Sequence, residues 1–220
     1  MTDFLNKNKK ELKLLADYSY TDKYEANRLF ANKIYWEDDK LYSTCGAAML
    51  YMAAENNPDG FTLMEVNKGK ITVVTDQKEI EKQKEAGLYK RIIDRFSTYD
   101  FSFDFVWDKD LPLPSKLASS RANRGKDNMY FNFEINELEI DFNAFEENKV
   151  IATYEDLFQN MEGEKPDRRL CIKYWHLFEL LKAGKENKVH CEIGNIRFLG
   201  DKSYYIRMTT GKYTCVVIAN

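Results

Sequence analysis

Short runs of alternating apolar and polar residues, separated by turn residues, favour a fold built mainly from antiparallel strands. In residues 131–142 the apolar side chains take odd positions (Phe131, Phe133, Ile135) and then even positions (Leu138, Ile140, Phe142). A change of phase at Asn136-Glu137 is what a tight hairpin produces when one face of the sheet stays buried. Further turns are predicted at Asp38-Asp39, Asn67-Lys68-Gly69, Gly194-Asn195, Gly200-Asp201 and Thr210-Gly211. The chain is therefore predicted to contain antiparallel meanders.

Helical patterns interrupt these strands in residues 4–16, 113–124 and 174–183. In the last of these, Tyr174, Leu177 and Leu181 share one face of a helix, and Gly184 is expected to end it. The charged segment that begins at residue 77 is predicted to be helical only as far as Glu85.

The order strand, helix, meander occurs in residues 99–155 and again in 168–220. The first 75 residues contain a helix followed by strands, without a clear leading strand. The predicted fold class is α+β, with repeated strand–helix–antiparallel meander units and helices on one face of the sheets. The 220 residues suffice for two domains, which we place at 1–95 and 96–220.

Composition favours a globular protein of a reducing compartment. Hydrophobic residues make up 44% of the chain, and 33 basic residues against 36 acidic ones give a formal net charge of -3. The four cysteines form no CxxC pair, and no apolar run has the length of a leader peptide or a membrane span. We therefore expect a cytoplasmic protein without membrane contact.

Two groups of residues resemble metal sites, but neither has convincing spacing. The zinc-like group is Cys171, His176, His190 and Cys191. Neighbouring strand residues such as His190 and Cys191 point to opposite faces, so they cannot both bind one ion without distortion.

An acidic group, Asp100, Asp104 and Asp108, could hold a divalent ion. These aspartates alternate with aromatic residues, which favours the solvent-facing side of an amphipathic strand. No nucleophile–base pair and no glycine-rich phosphate loop is evident. The sequence thus predicts no catalytic residue, no metal and no cofactor.

Basic residues on the helical segments are the remaining candidates for a binding surface. Lys7, Lys9, Lys10 and Lys13 lie opposite the apolar side of the first helix. The second helix offers Lys116, Arg121 and Arg124, and the third offers Lys182. Exposed helices commonly carry lysine, but such helices could also contact a phosphate backbone without reading its bases.

Several segments together resemble DNA sliding clamps, above all the bacterial DNA polymerase III beta subunit. The resemblance is strongest in residues 88–142 and 168–218. The sequence CIKYWHLFELLKAGKENKVHCEIGN, followed by YYIRMTTGKYTCVVI, is similar to the last repeat of those clamps. LYKRIID at 88–94 is similar to the linker between clamp domains, and NKIYWEDDKLYSTCGAAML resembles a strand–turn–strand near the start.

The resemblance implies a DNA-clamp-like fold and a non-catalytic processivity factor that acts in DNA replication. The implied partners are duplex DNA, polymerase or clamp-loader-like proteins, and further copies of the chain in a ring. Val217 and Ile218 match the first positions of the tail that helps form the family's pocket for partner peptides.

The chain departs from the bacterial pattern in three ways. It has room for two domains rather than three, which suits a three-subunit ring of the phage kind and suggests a phage or mobile-element origin. Ile218-Ala219-Asn220 replaces the family's longer tail, and Cys45 replaces an acidic residue of a Thr-Asp-Gly turn.

Three functions follow as hypotheses. The first is a sliding-clamp-like platform on duplex DNA, and the second is a protein-interaction module that keeps the fold without a ring. The third is a metal-dependent nuclease that uses Asp100, Asp104 and Asp108.

Overall fold

The computed structural model describes residues 2–19, 30–107, 127–135, 137–142, 149–153, 157–198 and 201–219. The chain divides into two compact units, Met1–Arg95 and Phe96–Asn220. The predicted helix at 113–124 lies outside the described residues. In the described part of the chain, no helix has the length and apolar character needed to cross a membrane.

In its described part, the first unit contains one antiparallel sheet and four helices. Its helices are α1 (Thr2–Lys7), α2 (Lys9–Tyr18), α3 (Gln77–Ala86) and α4 (Leu88–Arg95). Its strands are β1 (Lys33–Glu37), β2 (Lys40–Thr44), β3 (Ala48–Ala53), β4 (Phe61–Asn67) and β5 (Lys70–Val73). They lie in the order β3-β2-β1-β4-β5. The predicted turns at 38–39 and 67–69 are confirmed, with Lys68 and Gly69 both at positive φ as a tight hairpin requires.

Helices cover both faces of this sheet, where the sequence predicted helices on one face. On one face Leu12 and Leu15 of α2 are buried, and Phe4 of α1 stacks on Trp36 with the ring centroids 3.5 Å apart. The other face carries a cluster formed by Tyr35, Tyr42, Met49 and Leu63. The Tyr35 hydroxyl donates to Gln83 of α3 over 3.0 Å.

The prediction that the helix from residue 77 stops at Glu85 is wrong. Asp76 caps α3 by accepting from the Lys78 amide, and Gly87 ends it in the left-handed conformation with φ 52. The chain then forms α4, so residues 88–94 are helical. The apolar side chains Leu88, Tyr89 and Ile92 pack against the cluster around Tyr35, which the charged composition of the segment concealed.

Among its described residues, the second unit contains two antiparallel sheets and one helix. Its first strands are β6 (Phe101–Val106), β7 (Asp127–Asn132), β8 (Glu137–Phe142), β9 (Lys149–Thr153) and β10 (Phe158–Gly163). They are followed by β11 (Leu170–Lys173), α5 (Tyr174–Gly184), β12 (Lys188–Phe198), β13 (Asp201–Thr210) and β14 (Tyr213–Ala219). Within this unit the strand orders are β10-β6-β12-β13-β14 and β11-β7-β8-β9.

The two predicted repeats exchange their leading strands. Strand β6 precedes the first meander but pairs with β12 of the second, whereas β11 precedes the second meander but pairs with β7 of the first. Aromatic side chains join the two sheets, since Phe103 of β6 lies 6.1 Å from Phe131 of β7 and 5.0 Å from Phe133. Edge-to-face aromatic packing of this kind makes up much of the core.

Three local predictions in this unit are wrong. Ile135 is 55% exposed because β7 ends at Asn132 and residues 133–135 form a turn, in which Phe133 is buried and the two residues after it are exposed. Gly184 is the last residue of α5, and Lys185 takes the left-handed position after it. A side chain at Gly184 would lie 2.6 Å from the Thr210 Oγ1, so the glycine permits close packing rather than ending the helix.

The third wrong prediction is the turn at Gly194-Asn195, because β12 continues through both residues. Residues 96–99 form a strap that crosses β12 and β13 at this point. The Tyr205 hydroxyl donates to the Thr98 carbonyl, and Phe96 packs edge-on against the Tyr205 ring at 4.9 Å. Glycine is needed at 194 because the backbone of the strap approaches the strand too closely for a Cβ.

Candidate nucleic-acid interface

The strongest candidate interface in the first unit is a row of exposed lysines on α1 and α2. Burial of the apolar side of these helices leaves Lys7, Lys9, Lys10 and Lys13 in solvent. Lys7 forms an ion pair with Glu55. Lys9, Lys10 and Lys13 have no ion pair with a described residue. Lys10 and Lys13 lie one helical turn apart and Lys9 is adjacent to Lys10, so we call these three residues the α2 lysine row.

Of the other predicted DNA-facing residues, Lys182 alone lies in the described part of the chain, and it belongs to the second unit. Lys182 is exposed on α5 of the second unit, 3.9 Å from Glu179 one turn before it. Lys116, Arg121 and Arg124 lie outside the described residues. Among the predicted DNA-facing residues that the structure describes, the four lysines of α1 and α2 lie within one short stretch of exposed helix.

The two residues predicted to form a partner-peptide pocket lie on β14. Val217 pairs with Ile206 and is only 2% exposed, whereas Ile218 pairs with Tyr205 and is half-buried. Neither lines the 180 Å³ pocket formed beside Tyr204 in the same unit. A peptide on this strand would therefore contact Ile218 rather than the side chain of Val217.

Several of the polar side chains that line the pocket beside Tyr204 bond to one another. Asp167 accepts hydrogen bonds from the Tyr204 hydroxyl at 2.8 Å and from the Lys202 ammonium at 3.0 Å. The bond from Tyr204, together with Lys202, lowers the pKa of Asp167. Asn195 donates to Asp100 at the opposite side. These contacts engage Asp167 and Asp100, two of the acids that line the pocket.

Asp104 is not the free solvent-facing acid that the alternation predicted. It is 8% exposed on β6, between β10 and β12. Its carboxylate accepts from Lys188 at 2.6 Å, from Asn160 at 2.7 Å and contacts His190 Nδ1 at 3.0 Å. Burial alone would raise the pKa of Asp104, but these three contacts outweigh it and lower the pKa to about 2.

A divalent ion would have to compete with these three partners for Asp104, which argues against the nuclease hypothesis. Asp100 is already bonded to Asn195, and Asp108 lies outside the described residues. His190 and Cys191 do point to opposite faces, with Cys191 buried. Among the described residues, no group of three or more His, Cys, Asp or Glu side chains could hold a metal ion.

We expect Asp104→Asn to lower the free energy of unfolding at pH 7 by about 1–2 kcal/mol, after allowing for the solvent exposure of its partners. A lowered folded pKa means that the contribution of Asp104 is complete above pH about 4 and is lost as the pH falls towards about 2. Denaturant unfolding of the wild type and of Asp104→Asn, from pH about 7 to about 2, measures this loss of stability. A difference that stayed constant over this range would contradict the ion-pair account, and Glu162→Gln on the exposed edge of the same sheet is the control.

Sequence reasoning missed the Asp104 network because its members come from three strands. His190 and Asp104 are cross-strand partners, and Lys188 lies two residues before His190 on the same face. Alternation predicts on which face of the sheet each residue lies, but it does not predict which strand pairs with the one that carries the residue. The exchange of leading strands placed β6 beside β12, and no local signal predicts that exchange.

The fold is that of bacterial beta clamps. A DNA polymerase III beta subunit from Thermotoga maritima matches 96% of this chain with a TM-score of 0.54 and 12% identity, and 63% of that chain is covered. A beta sliding clamp from C. crescentus matches 96% with a TM-score of 0.51 and 8% identity, again over 63% of that chain. The beta subunit from Borrelia burgdorferi matches 96% with a TM-score of 0.50 and 12% identity, over 61% of that chain.

These likenesses define a beta-clamp fold, which confirms the predicted fold class. The chain spans less than two thirds of the length of the clamp subunits it matches. No protein-family model and no curated protein matches the sequence.

Proposed function

We propose that this chain is a non-catalytic, sliding-clamp-like protein of the cytoplasm that associates with duplex DNA and serves as a platform for replication or repair proteins. The observation that carries the proposal is a beta-clamp fold over 96% of the chain together with the exposed α2 lysine row. None of the four cysteines forms a disulfide, which suits a reducing compartment. Polymerase or clamp-loader-like proteins are the expected partners.

Lysines of this kind hold DNA through its phosphates. Each ammonium that contacts a phosphate releases condensed counterions, so affinity falls steeply with salt and is independent of base sequence. Such contacts position the duplex and carry no sequence information. A net charge of -3 does not oppose this, because binding depends on the local basic face.

We infer that the two units are clamp-like domains 1 and 2, and that three copies close a ring. Strand β5 ends the sheet of the first unit, and β9 and β11 end the four-stranded sheet of the second. Pairing of an edge on one copy with an edge on the next would satisfy backbone groups that otherwise invite aggregation.

The proposal is tested by the affinity for two unrelated duplexes, measured by fluorescence anisotropy over a range of salt concentrations. We expect equal affinities and a log–log salt slope of about -3, near -0.9 for each of three lysine contacts. Undetectable binding at about 50 mM salt, or a strong preference for one duplex, would contradict the proposal.

A protein-interaction module without a ring is the second candidate. Two of the predicted DNA-facing cations, Lys7 and Lys182, already have acidic partners, which favours this function. Such a module would keep the fold but show neither the salt slope nor ring assembly.

A further inference from the structure

A buried carboxyl group with no hydrogen-bond partner among the described residues lies at the start of β7. Asp127 is 1% exposed. Burial alternates along this strand, so Asp127 shares the inward face with Met129 and Phe131, which are 0% and 1% exposed. An aspartate in phase with core residues is unusual, because a carboxylate is rarely buried without a partner.

Neither carboxylate oxygen of Asp127 has a hydrogen-bond partner among the described residues. Lys173 on the neighbouring strand β11 could have provided one, but its ammonium donates instead to Asn128 Oδ1 at 2.7 Å. On the other side, β8 contributes the like charge of Asp141. Asp127 thus faces a repelling acid and a cation that is already engaged.

The packing around Asp127 also involves the first turn of α5. Tyr174 is fully buried there, and its pKa is raised by burial and by the charge of Asp127. His176, two residues further along, is 2% exposed. The Tyr174 ring stacks on Trp107 with the centroids 6.1 Å apart. Among the described residues, the titratable groups that interact with Asp127 are therefore Asp141 from β8, Lys173 from β11 and Tyr174 from α5.

We propose that Asp127 is a protonation switch in the second unit. The neutral acid is accommodated on the apolar face of β7, and its ionisation loosens the packing of β7 against β11 and the first turn of α5. The inference is independent of DNA binding, since it concerns only the internal packing of this unit.

The direction of the pH effect follows from the environment. Burial raises the pKa of Asp127, the charge of Asp141 adds to this, and Lys173 opposes it. An acid whose folded pKa is raised stabilises the fold fully below its unfolded pKa, near pH 4, and loses that contribution as the pH rises to the folded pKa. This direction is opposite to that expected for Asp104.

The test compares denaturant unfolding of the wild type and Asp127→Asn from pH about 4 to about 8. We expect similar stabilities at the acid end. With rising pH, the unfolding equilibrium constant of the wild type should grow about tenfold per pH unit relative to the variant, and then level off above the folded pKa. Glu134→Gln, an exposed acid in the β7–β8 loop, should follow the wild type at every pH. A ratio between wild type and Asp127→Asn that does not change with pH would overturn the proposal.

A second measurement needs no variant. The side-chain carboxyl carbon of Asp127 in the isotopically labelled wild type should titrate above pH about 4, and amide exchange in β11 and the first turn of α5 should lose protection over the same range. Titration at or below the ordinary aspartate pKa, or protection unchanged through the titration, would overturn the switch even if Asp127→Asn failed to fold.

Discussion

Gly194→Ala is expected to destabilise the second unit by about 3 kcal/mol, the upper end of what overpacking usually costs. An added Cβ would lie 2.2 Å from the Thr98 carbonyl oxygen and 2.5 Å from the Tyr205 ring. Neither neighbour can yield easily, because one is backbone and the other is a buried ring that holds Phe96 and the strap in place. Denaturant unfolding followed by circular dichroism measures the loss.

The matched control is Asn195→Ala, at the next residue of β12. Asn195 is exposed and bonds only to Asp100 on the surface, so its loss should cost less than about 1 kcal/mol. Equal stability of Gly194→Ala and the wild type would mean that the strap does not cross β12 as described.

Charge reversal of the α2 lysine row is expected to reduce duplex affinity at least about 100-fold at low salt, since three phosphate contacts are lost. The variant is Lys9→Glu, Lys10→Glu and Lys13→Glu combined. The salt slope should fall by about 2.7 in magnitude, which corresponds to three fewer released counterions. The positions are exposed, so the free energy of unfolding should change little.

The control carries the same change of net charge elsewhere in the first unit, by Lys78→Glu, Lys82→Glu and Lys90→Glu. These lysines are exposed on α3 and α4. We expect this variant to keep most of the affinity. An equal loss in both variants would show that the overall charge, and not the α2 lysine row, governs binding.

Alternation and turn chemistry predicted most of the strands of this fold. The hairpin of β4 and β5 follows directly from Lys68-Gly69, and the buried face of α5 follows from the spacing of Tyr174, Leu177 and Leu181. These signals are local, because a side chain's face is set by its own backbone period. The α+β class and the meanders were therefore within reach of the sequence.

Features that depend on close approach between distant segments could not be predicted from the sequence. Gly194 was taken for a turn because glycine usually marks one, whereas its role here is set by a strap about 95 residues earlier in the chain. The helix α4 was missed because its apolar residues are stabilised by the tyrosine cluster of a remote sheet face. Tertiary packing decided these cases against the local pattern.

Of the candidate site, the basic face of α1 and α2 could be read from the sequence, because helical periodicity separates the lysines from Phe4, Leu12 and Leu15. The partners of these lysines could not be read from the sequence. The ion pair of Lys7 with Glu55 joins a helix to a loop after β3, which leaves the α2 lysine row as the part of the face open to phosphate.

The ring is the central claim, and solution mass by light scattering behind a sizing column tests it most directly. The account predicts one species with three times the 25.9 kDa mass of the chain, at low and at moderate salt. A single monomeric species at all protein concentrations and both salt conditions would contradict the ring and favour an interaction module with a clamp fold.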